Sequence, residues 1–181
     1  MAARILPTPE QLRELLRYEP DTGKLFWKER GLDFSRCKSQ QQRWNTRHAG
    51  KEALTSINNS GYRNGHVLNS AVLAHRVIWA METGKWPDVD IDHKSGDRLD
   101  NRWSNLRQAT KLQNARNKAK TKGTTFGLKG VAAVAGSLRF QARISVLGKL
   151  LYLGIFDTAE AAHAAYCEAA KKYHGEFART E

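Results

Sequence analysis

The spacing of apolar positions changes along this chain, and each change marks an element. Leu12, Leu15 and Leu16 recur at helical spacing behind Thr8, Pro9 and Gln11, a capping box with proline at the first helical position. This predicts a helix over 8–18 that stops before Pro20. Glu19 to Gly23 reads as a turn and Lys24 to Lys28 as a short strand. Residues 29–48 have no apolar period, so a flexible surface loop is expected, with Arg30, Arg36, Lys38, Arg43 and Arg47 available to phosphates. Gly50, Gly61 and Gly65 separate short segments in residues 49–73, which suits a hairpin or small sheet. From Ala71 to Thr83 the helical repeat returns through Val72, Ala74, His75, Ile78, Trp79 and Glu82, with Gly84 as its stop.

The next segment is short and punctuated. Val89 to Asp92 alternates apolar and acidic residues, as a strand does. Lys94 to Asp97 and Asp100 to Arg102 are turns, and Asn105 to Gln108 is a second short run. Thr110 and Gln113 form another capping box, so a helix starts at Lys111 with Asn114 in its first turn and Asn117 on the same face. The expected order is strand, loop, strand, helix. Beyond a basic linker at 120–126, three runs read as strands: Gly130 to Val134, Leu138 to Val146, and Leu150 to Phe156. In the middle one Phe140, Ala142, Ile144 and Val146 face one way, and Arg139, Gln141, Arg143 and Ser145 the other. Ala159 to Tyr173 is an alanine-rich amphipathic helix able to cover the apolar face.

Charge narrows the reading. The 30 Lys and Arg against 18 Asp and Glu leave a net charge of +12 over 181 residues, a field that favours polyanions and above all nucleic acid. Cys37 and Cys167 lie far apart and form neither a disulfide framework nor a zinc-type pair, which suits thiols in a reducing compartment. No apolar run has membrane-spanning length, and no signal peptide is recognisable, so an intracellular location is expected.

Residues 92–117 carry the candidate chemistry. Phosphodiester hydrolysis needs a base for water, an offset for the phosphate charge and stabilisation of the departing oxygen. His93 suits the first task. Asp92 and Asn114 offer hard oxygen donors for a divalent ion, Mg²⁺ first and Mn²⁺ second, and Asn105 can orient the imidazole. Neighbours on an ideal strand face opposite ways, so Asp92 and His93 need a bend to share one site. The same residues also suit a polar, Asn-rich turn feeding a capped helix. His75, set among apolar residues, is expected to be a core or hydrogen-bonded histidine and not a ligand.

The segment resembles the HNH endonucleases found in phage genomes and among homing endonucleases. The resemblance rests on Ala74-His75-Arg76-Val77-Ile78-Trp79, Gly84-Lys85-Trp86-Pro87, Ile91-Asp92-His93, Gly96-Asp97, Asp100-Asn101-Arg102, Ser104-Asn105-Leu106-Arg107 and Asn114 to Asn117. It implies a ββα-metal unit that binds one divalent ion and cuts DNA, with His93 and Asn105 catalytic and Asp92 and Asn114 on the metal. Asn117 and Asn101 would be supporting residues, Asn101 shaping the loop. Members with structural zinc carry cysteine pairs, which this chain lacks, so no structural zinc is expected.

The C-terminal segment resembles the Apetala/ethylene-response-factor DNA-binding domain through Gly127 to Val131, Arg139 to Ile144, Tyr152 to Ala162 and Ala165-Tyr166. That family lays a three-stranded sheet in the major groove. Its usual arginines after Gly-Val are replaced here by Ala132 and Ala133.

The expected fold is therefore α+β, a ββα-metal nuclease unit followed by a small three-stranded antiparallel sheet packed on one helix. The expected domains are 1–70, accessory to the nuclease; 71–119, the nuclease core; 120–126, the linker; and 127–181, the DNA-binding domain. The expected partner is double-stranded DNA, bound by a monomer or weak dimer, in the cytoplasm of a bacterial host if the gene is a phage's. Candidate DNA contacts are Arg107, Arg116, Lys118, Lys120, Lys122, Lys129, Arg139, Arg143 and Lys149. The alternative is a non-catalytic DNA-binding protein on a nuclease-like scaffold.

Overall fold

The computed structural model describes residues 6–116, 126–178 and Thr180. Backbone contacts divide the chain into two compact units, Met1–Gln108 and Ala109–Glu181. Asn117, Lys118, Lys120 and Lys122 lie outside the described residues, as does the expected linker up to residue 125.

The first unit begins with helix α1, Pro9–Leu15. Both arms of its capping box are made: Thr8 Oγ1 accepts from the Gln11 N–H, and Gln11 Oε1 accepts from the Thr8 N–H. The helix ends earlier than expected, because Leu16–Glu19 forms strand β1 and pairs antiparallel with β2, Lys24–Trp27. Gly23, at φ 72°, makes the tight turn between them. Strand pairing lets Leu16 and Leu25 enter the core while β1 uses its backbone groups on β2, which overrides the local helical pattern.

A larger difference falls at 29–48, where a loop was expected. Leu32–Phe34 is a 3₁₀ turn, and Lys38–His48 is a helix, α2, with no buried residue. Polar and aromatic anchors hold it, so it lacks the apolar period by which a helix is recognised. β3, Glu52–Ala53, adds to the free edge of β2. β4 (Ser56–Ile57), β5 (Arg63–Val67) and β6 (Ser70–Leu73) form a second antiparallel sheet. Leu68 and Asn69, at φ 46° and 66°, form the β5–β6 turn, so helix α3 starts at Ala74 and not at Ala71. It runs to Thr83 and stops at Gly84, whose φ is 74°.

α3 buries Ala74, His75, Val77, Ile78, Ala80 and Met81. Its apolar members join Leu12, Leu15, Leu16, Val67, Ile91 and Leu106 in one core, with Trp79, Trp86 and Trp103 packed against it. Strands β7 (Asp90–His93) and β8 (Leu106–Ala109) pair as a two-stranded sheet. The loop between them carries the 3₁₀ turn Trp103–Asn105.

In the second unit, helix α4 spans Lys111–Arg116 behind the expected Thr110–Gln113 capping box. β9 (Val131–Ala133), β10 (Phe140–Val146) and β11 (Lys149–Phe156) form an antiparallel sheet in the order β11-β10-β9. Helix α5, Ala159–His174, is capped by Thr158 and packs on it. Ala142 and Ile144 are buried while Arg143 and Ser145 are exposed, as the alternation predicts. Tyr166, Ala169 and Ala170 complete the core around Ile144. No described helix is long and apolar enough to cross a membrane.

Candidate active site

β7 brings three consecutive buried residues, Ile91, Asp92 and His93, into the first unit. Adjacent side chains on a strand leave opposite faces, and here they find different partners. Ile91 enters the core. Asp92 turns to Arg107 on β8: its Oδ2 accepts from Nε at 2.9 Å and lies 2.8 Å from Nη2. Both side chains of this pair are about nine-tenths buried, which makes the guanidinium a fixed orienter of the carboxylate. Arg107, expected as a DNA contact, is therefore committed to the interior.

His93 is 3% exposed, and its Nε2 lies 3.0 Å from Asn101 Oδ1. With the amide oxygen as acceptor, the ring proton sits on Nε2 and Nδ1 is the unprotonated nitrogen. Burial lowers the pKa of His93, against the opposing pull of Asn101, Asp92, Asp100 and Asp97. The imidazole is thus neutral near pH 7 and held in one orientation.

Asn105 has a different task from the orienting role expected of it. Its Oδ1 accepts from the Ser95 N–H at 2.9 Å, and its Nδ2 donates to the Asp100 carbonyl at 2.7 Å. It ties together the two ends of the 95–100 loop. The loop is completed by Asp97 Oδ1, which accepts from the Leu99 N–H, and by Asp100, whose two oxygens hold Arg102. Asn105 reaches those backbone groups because the 3₁₀ turn points its side chain under the loop; Asn101, at the far side, meets the imidazole.

The N-terminal hairpin holds Asn101 in place. The Tyr18 hydroxyl donates to the Asn101 carbonyl at 2.8 Å, and the Trp103 N–H donates to the Pro20 carbonyl at 3.3 Å. Gly23 lies so close that a Cβ there would meet Arg102 N at 2.5 Å and the Asn101 carbonyl carbon at 2.6 Å. Asn101 itself is 1% exposed, and its Nδ2 has no hydrogen-bond partner among the described residues.

Two side chains that the sequence did not associate with the site pack on His93. The His75 ring stands edge-on, centroids 5.2 Å apart, and the Tyr62 ring lies tilted at 5.8 Å, with the Arg98 guanidinium 5.0 Å from the Tyr62 centroid. The one signal in the sequence was a histidine on the apolar face of α3. Burial, then the neighbouring His93 and Arg76, push the His75 pKa down to about 3, and its Nδ1 has no partner among the described residues. A folded-state pKa below the unfolded value adds stability above about pH 6.5 that is lost as pH falls towards 3. Wild type should therefore lose stability relative to His75→Phe across that window, by roughly 1.4 kcal/mol per pH unit. Urea denaturation at pH 7, 5 and 4 checks this; parallel loss in both proteins rejects it.

The donors decide what ion would suit the site. Among the described residues no three His, Cys, Asp or Glu side chains gather as a metal-holding group. One carboxylate beside an imidazole offers donors to a divalent ion that keeps most of its water and meets substrate phosphate. Asn114 lies on α4 in the second unit, its N–H donating to the Thr110 carbonyl.

Residues 72–116 match the family model described as HNH endonuclease. The match covers about a quarter of the chain and takes in α3, β7, the loop, β8 and α4, hence His75, Asp92, His93, Asn101, Asn105, Arg107 and Asn114. It supports an HNH nuclease, a hydrolase of phosphodiester bonds. A search of curated proteins found no match to the chain.

Proposed function

We propose that the protein is a metal-dependent DNA endonuclease with His93 as general base. The observation that carries this is a buried, neutral imidazole, held through Nε2 by Asn101, inside the segment that matches the HNH endonucleases. Nδ1 takes a proton from the attacking water. Asp92, oriented by Arg107, is the proposed ligand of one divalent ion, Mg²⁺ by preference. When bound, that ion offsets charge on the phosphate and on the departing oxygen. Asn105 acts by holding the loop that presents Asn101.

The ββα-metal arrangement, the phage origin and the homing-like character stay with this proposal, as does the role of the second unit. Its sheet and helix, and its resemblance to the Apetala/ethylene-response-factor domain, support DNA binding. Arg143 and Lys149 are exposed on the sheet, while Arg139 is paired with Asp157 at 2.9 Å. Lys129 contributes its carbonyl to His163, and the side chain of Arg116 is outside the description.

The test is conversion of supercoiled plasmid in Mg²⁺ or Mn²⁺. Cutting that stops with EDTA and in His93→Ala supports the proposal; binding without cutting in any divalent ion, or equal cutting by His93→Ala, overturns it.

The hairpin contact makes a second prediction. Gly23→Ala places a methyl group against the Asn101–Arg102 backbone and shifts the acceptor away from His93. Single-turnover cleavage should fall on the order of 10–100-fold, with duplex affinity unchanged. Unaltered cleavage would show that the hairpin does not position the base.

A further inference from the structure

The two faces of α2 have different partners. One face is a latch. Gln41 Nε2 donates to the Arg30 carbonyl at 2.7 Å, and Asn45 both accepts from the Arg30 N–H at 2.9 Å and donates back to its carbonyl. Trp44 lies 3.6 Å beneath the Arg30 guanidinium and meets the Trp27 ring edge-on. These contacts fix the helix on the segment that leaves β2.

The other face carries Ser39, Gln42, Arg43, Thr46 and Arg47, all exposed and together lining one shallow recess. Their spacing of i, i+3, i+4, i+7 and i+8 makes a single stripe along the helix. From Arg36 to His48 the chain has no acid, and none of Arg36, Lys38, Arg43 and Arg47 is ion-paired among the described residues. Arg43 and Arg47, one turn apart, repel each other. A helix with no buried residue gains little from the core to offset that repulsion, so an anionic partner is the complement its charge calls for.

The neutral members of the stripe say which polyanion. Phosphates are gripped by Arg and Lys and also by Ser, Thr and Gln, and such contacts position a helix, whereas base edges are what carry sequence information. Here Gln42 and Thr46 alternate with Arg43 and Arg47, and Arg and Gln are the side chains whose paired donors and acceptors match guanine and adenine edges in the major groove. An 11-residue helix, about 16 Å long, fits that groove.

We propose that the outward face of α2 is a DNA-reading surface that enters the major groove of the duplex and contributes sequence preference. This rests on the reading of duplex DNA as the substrate.

The full chain is tested with the His93→Ala background for binding and the native background for cutting. Fluorescence anisotropy on a mixed-sequence duplex, over a range of salt, should show Arg43→Ala/Arg47→Ala weakening binding at least about 10-fold and lowering the salt slope by roughly 2. Gln42→Ala/Thr46→Ala should leave that slope alone and flatten the base preference in cleavage of a randomised duplex library. Unchanged affinity and slope in the arginine pair overturns the proposal. So does an intact base preference in the Gln42/Thr46 pair, or a loss confined to single-stranded RNA. Trp fluorescence, sensitive to the Trp27–Trp44 contact, confirms that the latch is folded in each variant. The two readings separate cleanly. A protein that cuts DNA with α2 variants unaffected retains the nuclease and loses this surface. A protein that binds through α2 but never cuts retains the surface and loses the nuclease.

Discussion

His93→Ala is expected to lower strand cleavage by about 10²–10⁴-fold while duplex affinity stays the same. The loss is large because no other group among the described residues is placed to replace the imidazole. His75, the nearest ring, has a pKa of about 3 and packs edge-on against His93 inside the core. It is a poor base, and its burial leaves it no room to move. The affinity is spared because His93 is 3% exposed and neutral, so it adds no charge to the DNA-facing surface. Asn101→Ala should show a smaller loss of the same kind, and Asn101→Asp should recover part of it by restoring an acceptor near Nε2. The ring ¹⁵N shifts of His93 report whether the proton stays on Nε2. A mixture of tautomers in Asn101→Ala, returning to one in Asn101→Asp, identifies a positioning role; an unchanged ring spectrum with lost cleavage would exclude it.

Gly130→Ala is expected to unfold the second unit and leave the first intact. Gly130 sits at φ 79°, where an L side chain is strained, and its added Cβ would fall 2.0 Å from Tyr166 Cδ2. Tyr166 cannot yield easily: it is 5% exposed, packs with Ile144, Ala169 and Ala170, and stacks on His163. The backbone penalty of about 1–2 kcal/mol and the overpacking of about 1–3 kcal/mol together compare with the whole stability of so small a unit. The measurement is direct because all five tryptophans, at 27, 44, 79, 86 and 103, lie in the first unit. Their fluorescence transition should not move, while the β10 amides lose protection from exchange. Retained protection at Ile144 would refute the expectation.

The parts of the molecule legible in advance are those set by near neighbours in sequence. Both capping boxes, at Thr8 and Thr110, are made as their spacing predicts, because residues three apart meet wherever a helix begins. The C-terminal sheet followed from alternation, and the α3 stop from Gly84. Length of an element was less legible: α1 yields to β1 at Leu16 because pairing with β2 outweighs the helical pattern of three leucines.

What an asparagine or an arginine touches was not legible at all. The sequence by itself determined a basic α+β chain with an acid–imidazole pair before a capped helix. Tertiary structure decided that Asn101, and not Asn105, meets His93, that Arg107 turns inward to Asp92, and that His75 stands beside the base. It also turned the aperiodic stretch at 38–48 into a helix anchored on Arg30. The reason is common to all four. Helical and strand periods record burial of apolar surface, whereas a polar side chain finds its partner through the path of the loop that carries it. That path depends here on Tyr18 and Gly23, more than seventy residues away along the chain.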